Sequence, residues 1–119
     1  MPRILVVDDN ADLAASIVAM LKVHNYSAFA AVDVAKALEV LDDDPSIGMV
    51  LSDVRMPSVD GLDFFRVLRH RFPSLPVVLM TGMPISDEDV VPRGVTILEK
   101  PFEFKQLLDL IHSRLGPAE

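Results

Sequence analysis

Apolar residues in this chain gather in short runs, and four of those runs stop on a polar residue. Ile4-Leu5-Val6-Val7 runs into Asp8-Asp9, Met49-Val50-Leu51-Ser52 into Asp53, Val77-Val78-Leu79-Met80 into Thr81, and Thr96-Ile97-Leu98-Glu99 into Lys100-Pro101. Short β-branched runs bounded by turn residues read as buried strands. A fifth, shorter strand is predicted over Tyr26 to Ala31.

Between the strands the spacing changes to three and four. Leu13, Ile17, Met20, Leu21 and His24 share a helical period, with Asn10 or Asp9 placed to cap its start. Asp33 is placed to cap a second helix with Val34, Ala37, Leu38 and Leu41 on one face, ended by Asp42-Asp43-Asp44-Pro45. Leu62, Phe65, Leu68 and Phe72 line a third, stopped by Pro73 and Pro76, and Phe104, Leu107, Leu108, Ile111 and Leu115 give the clearest amphipathic pattern, in the last.

Strands alternating with helices imply parallel pairing, because each intervening segment is long enough to return the chain in the same direction. The expected fold is α/β and doubly wound. In an open parallel sheet every strand delivers its C-terminal residue to one edge, where ligands bind. Asp8, Asp9, Asp53, Thr81 and Lys100 are therefore expected to converge.

Composition narrows the class. A chain of 119 residues that is 50% apolar can bury about two-thirds of its unfolded surface as one domain, residues 1–119. With no cysteine, disulfides and thiolate metal sites are excluded, and no segment reads as a signal peptide or membrane span. The expected compartment is the cytoplasm. A net charge of −7 argues against direct nucleic-acid binding. Gly116-Pro117-Ala118-Glu119 reads as a helix stop and tail.

Three carboxylates at one edge repel each other, and a small hard cation relieves the repulsion. Magnesium suits an oxygen-only donor set, whereas the absence of Cys and of a nearby His disfavours zinc. With a cation bound, Asp53, alone at the end of a central strand, can act as a nucleophile toward phosphorus. Thr81 and Lys100 supply a hydroxyl and an ammonium for the equatorial oxygens of a phosphoryl group. Singly, each of these residues has an ordinary structural explanation as turn, cap or sheet surface. Jointly, at successive strand ends, they do not.

In these motifs the chain resembles the receiver domain of two-component response regulators over essentially its full length. The matching elements are Val6-Val7-Asp8-Asp9, Ser52-Asp53-Val54-Arg55-Met56-Pro57 with Asp60-Gly61, Met80-Thr81-Gly82 and Glu99-Lys100-Pro101-Phe102. The resemblance implies a flavodoxin-like five-stranded parallel sheet of order 2-1-3-4-5. It implies that Asp53 accepts a phosphoryl group from a sensor histidine kinase or phosphotransfer protein. Magnesium would be held by Asp9, Asp53 and the backbone carbonyl of Arg55, with Asp8 acting through water. Thr81 and Lys100 would contact the phosphoryl oxygens, Pro57, Gly61 and Pro101 would shape the site loops, and the Lys100-Pro101 bond would be cis. The protein would be an autophosphorylating regulator rather than a turnover enzyme, passing its state to an output partner or attached domain.

Two departures from the family stand out. The position three before Lys100, usually Tyr or Phe, is Ile97, and together with Thr81 it forms the expected switch pair. The stretch between Thr81 and Lys100 is also shorter than usual by about one helical turn. Pro84 and Pro92 bound a shortened or irregular fourth helix there, so the segment from residue 82 to residue 94 becomes the alternative moving part.

Two rival functions stand beside this one, the first of similar topology. A flavin-binding electron carrier would have to place a cofactor phosphate against Asp8-Asp9, and a magnesium-dependent aspartyl phosphatase would usually carry an acid where Arg55 stands. His24, His70 and His112 lie near predicted helix ends and read as dipole or surface residues. Asp42-Asp43-Asp44 and Asp87-Glu88-Asp89 lack calcium-loop spacing. The first reads as a solvated helix stop and the second as first-turn charge. Arg66, Arg69, His70 and Arg71 suit a helix C-terminus, with kinase docking as their other reading.

Overall fold

Side chains that alternate between the two faces of a single sheet build two cores, one on either side. The computed structural model describes residues 3–53, 61–81, 96–99 and 102–115. Its elements in order are β1 (Arg3–Val7), α1 (Ala11–Val23), β2 (Ser27–Ala31), α2 (Val34–Asp43), β3 (Ile47–Asp53), α3 (Gly61–Arg71), β4 (Val77–Thr81), β5 (Thr96–Glu99) and α4 (Phe104–Leu115). All strand pairs are parallel, as the sequence pattern predicts, and the order is β2-β1-β3-β4-β5, as the family resemblance implies.

Ile4, Val6, Met49, Leu51, Val78, Met80 and Leu98 face α1 and α4, meeting Ala14, Ile17 and Leu21 from the first and Leu107 and Ile111 from the second. The residues between them, Leu5, Val7, Val50 and Leu79, face α2 and α3. That period of two is the pleat of the strand, and a sheet covered on both faces reads as continuous apolar sequence. Each fully buried Leu, Ile or Phe contributes about 1.5–3 kcal/mol relative to exposure.

The helix starts follow their caps. Asn10 accepts the N–H of Leu13 at 3.1 Å and Asp33 that of Lys36 at 2.7 Å. Asp9 does not cap α1; it stands one residue too early. At the other end of α1 the His24 N–H reaches the carbonyls of Met20 and Leu21, and Asn25 takes φ 67°. Asparagine tolerates that left-handed turn better than other side chains with a Cβ. It lets the Tyr26 N–H bond the Leu21 carbonyl at 3.0 Å, so Tyr26 is a buried connector and β2 starts at Ser27.

On α3 the buried stripe is broader than the period of Phe65 and Leu68 predicts. Phe64 is as fully buried as Phe65, because adjacent helical positions about 100° apart both fit a wide apolar face. Met20, placed on the inner face of α1 by its spacing, is 43% exposed. The side chain of Leu62, the expected fourth helix and the tail at 116–119 lie outside the described residues.

Candidate functional site

The register of the sheet decides which residues meet. Val7 pairs with Ser52, so the next residues along the two central strands, Asp8 and Asp53, arrive side by side at the C-terminal edge. Asp53 in turn pairs with Met80, and Thr81 ends the neighbouring strand opposite Glu99. Asp8, Asp9 and Asp53 each bring a carboxylate oxygen to within 4.8 Å of the others. Asp8 is 1% exposed and Thr81 2%, Asp53 is half-buried and Asp9 faces solvent.

The loop after β1 is held from both sides. The Asp8 N–H donates to the Ala31 carbonyl at 3.2 Å, which continues the β1–β2 pairing one residue past the strand. Its Oδ1 accepts the N–H of Asn10 at 2.9 Å, and Asn10 caps α1. A single turn thus fixes the buried acid and starts the helix. On β3, Ser52 is wholly buried and its hydroxyl donates to the Asp53 carbonyl at 3.1 Å. No sequence pattern singles out this contact, because a serine inside an apolar run offers no period to read.

Three carboxylates with no histidine among them form an oxygen-only donor set, the kind a hard divalent cation takes. The donor set therefore fits magnesium better than zinc. Ile97 lies in β5 opposite Leu79, partly buried against the core under α2 and α3. Gly61 begins α3. Arg55, Pro57, Lys100 and Pro101 lie outside the described residues.

The charges read as solvated or dipole-facing have more specific partners. Arg71 pairs with Asp42 across α2 and α3, Arg66 with Asp63 one turn earlier, and Arg3 with Asp44. Asp42, in the last turn of α2, stays exposed in its pair with Arg71, while Asp44, which caps the end of the helix, is partly buried against Arg3 and Ser46, so the stop is as read but solvated only in part. The Ser46 hydroxyl, the Ser46 N–H and then the Arg3 guanidinium hold the Asp44 carboxyl below its ordinary value of 3.8. His24 ends α1, with Nδ1 3.0 Å from the Met20 carbonyl and its ring edge-on to Phe104. His70 and His112 are exposed in the last turns of α3 and α4. A groove of about 680 Å³, walled in part by Leu41, Ile47, Phe72 and Pro76, opens at the opposite edge of the sheet from the acids. No helix among the described residues is long and apolar enough to cross a membrane.

Paired central strands that place three acids at one edge and a buried threonine beside them match one family over most of the chain. The response regulator receiver domain model covers residues 4–112. The chain belongs to that family. Among curated relatives of this receiver domain, the transcriptional regulatory protein FixJ of Bradyrhizobium diazoefficiens is 33% identical over 98% of the chain and 58% of its own length. The response regulator receiver protein CpdR of Brucella abortus is 29% identical and covered along its full length. A response regulator receiver protein from Pseudomonas putida superposes with a TM-score of 0.87 at 32% identity, over 94% of this chain and 96% of its own. The receiver spans only 58%, 24% and 25% of FixJ, the response regulator FleR and the dicarboxylate-transport regulator DctD of Pseudomonas aeruginosa.

Proposed function

We propose that residues 1–119 form one receiver domain that works as the phosphoacceptor switch of a two-component phosphorelay. The observation that carries this reading is the clustering of Asp8, Asp9 and Asp53 oxygens within 4.8 Å at the sheet edge. Asp53 is the proposed acceptor. One of its carboxylate oxygens attacks the phosphorus of a phosphohistidine on a sensor histidine kinase or phosphotransfer protein. The new P–O bond forms as the P–N bond breaks, and its electron pair leaves with the imidazole.

Asp8, Asp9, Asp53 and the Arg55 carbonyl are the residues proposed to hold magnesium, which would neutralise charge on the transferring group. Asp8, fixed by the Asn10 N–H, sets the position of that group of acids. Thr81 and Lys100 are proposed to donate to the phosphoryl oxygens, stabilising the charge that develops there. No external substrate turns over, so the chain is a regulator that modifies itself. The output, proposed as a change in affinity for a partner or an attached domain, is of the kind suggested by relatives longer than this chain. Cytoplasmic placement follows from the same reading. The flavin carrier gains no support, since Asp8 and Asp9 stand where an anionic cofactor would enter, and against the aspartyl phosphatase stands Arg55 in place of its second acid.

The test is intact mass after incubation with a small-molecule phosphodonor and magnesium. Wild type gains one phosphoryl group and Asp53→Asn gains none. Uptake by the variant at the wild-type rate overturns the assignment.

A further inference from the structure

At the edge of the sheet away from the acids, two arginines from opposite helical layers line one small hollow. Arg69 reaches it from α3 and Arg114 from α4, across the starts of β4 and β5. The hollow measures about 140 Å³ and includes Ser74, Val77 and Thr96 in its wall. That is room for a tetrahedral oxyanion and several waters.

Among the described residues the wall contains no acid. Among the described residues Arg3, Arg66 and Arg71 each pair with a carboxylate, while Arg69 and Arg114 do not. Arg69 instead donates from Nη1 to the carbonyls of Pro73 at 2.6 Å and Leu75 at 3.1 Å, with its guanidinium carbon 4.9 Å from the Phe65 ring centre. Arg114 donates from Nη2 to the Thr96 hydroxyl at 3.0 Å. These neutral partners orient both guanidinium groups and cancel neither charge. A guanidinium carries five N–H donors in a rigid fork, so each retains donors beyond those bonds. Two guanidinium groups that pair with no carboxylate among the described residues and border one concavity make a surface that an anion can bridge.

We propose that this hollow binds a phosphate group, held between the forks of Arg69 and Arg114 with the hydroxyls of Ser74 and Thr96 on its remaining oxygens. Arg–phosphate recognition of this kind is bidentate and charge-assisted. The site is separate from Asp53 and does not depend on the phosphorelay reading.

The experiment titrates inorganic phosphate into the magnesium-free protein and follows backbone amides, with chloride at matched ionic strength as control. Saturable shifts at Ser74, Val77, Val78 and Thr96, absent with chloride, are expected. Arg114→Gln, an exposed position at a helix end, should weaken binding at least tenfold while leaving the circular dichroism spectrum unchanged. Arg69→Lys, which keeps the charge and loses the fork, should weaken it several-fold. A nucleoside monophosphate distinguishes a phosphate ester from the free ion: shifts at the same residues assign the ester, and their absence beside phosphate binding assigns the ion. Linear shifts equal to those with chloride, equal binding of acetate and phosphate, or unchanged affinity in Arg114→Gln would each overturn the proposal.

Discussion

The Asn10 N–H donates to the Asp8 carboxylate, while the Asn10 side chain accepts the Leu13 N–H that begins α1. The buried acid of the candidate metal site and the first turn of a core helix are therefore parts of one hydrogen-bonded turn. A change made to one should be felt by the other.

Replacing the cap tests that coupling. Asn10→Ala should destabilise the fold by about 1 kcal/mol, the usual worth of an N-cap, and lower the melting temperature by roughly 3–5 °C in a domain of this size. Because the loop holding Asp8 loosens with it, magnesium affinity should fall in the same variant. Calorimetric melts and a magnesium titration measure the two effects. A full loss of stability with unchanged affinity would separate the cap from the site.

Metal binding itself should appear as stability. Binding to the folded chain alone stabilises by mass action, about 2.7 kcal/mol at a hundredfold excess over the dissociation constant. Saturating magnesium should raise the melting temperature of wild type. Asp9→Asn, at the exposed member of the trio, should cut that rise by more than half. Equal rises in both proteins would remove Asp9 from the site.

Acid should release the turn after α2. The Ser46 bonds and Arg3 lower the Asp44 pKa in the folded state, so the unfolded chain binds more protons as pH falls. The stabilisation is complete above the ordinary value of 3.8 and is lost as pH drops through the lower native value. Ser46→Ala removes the largest of these causes. In urea titrations the gap between wild type and this variant should be widest above about pH 5 and should narrow below about pH 4.

Ile97 packs against the core beneath α2 and α3, and a purely apolar, β-branched side chain has neither ring nor hydroxyl with which to follow Thr81. Hydrogen exchange on the free protein and on its beryllofluoride complex should therefore differ most in residues 82 to 94, with little change at Ile97. Unchanged exchange across 82 to 94, with the mimic bound at Asp53, would send the signal out by another face.

The strands and the meeting of Asp8, Asp9 and Asp53 were legible because both follow from simple periods, whereas the strand order came only through the resemblance to receiver domains. Apolar runs give the strands, and parallel pairing sends their ends to one edge. What escaped the sequence depends on distance in the chain. The pairing of Arg71 with Asp42 and of Arg3 with Asp44 joins residues whose local spacing suggests only dipole effects. Met20 was placed inside and the burial of Phe64 was not read, because the helical period gives the direction of a face and leaves its width to the packing.

The central position of β1 bears on how the chain folds. β1 needs β2 on one side and β3 on the other, so Val7 waits for Ser52 before its second ladder can close. A nascent chain leaving the ribosome would carry Ile4 to Val7 half-covered until β3 emerges, and closing that long loop costs entropy before any contact rewards it. The arrangement that brings two acids side by side thereby leaves the first strand with one open edge until β3 is made, a window in which chaperone capture or misassociation competes with folding.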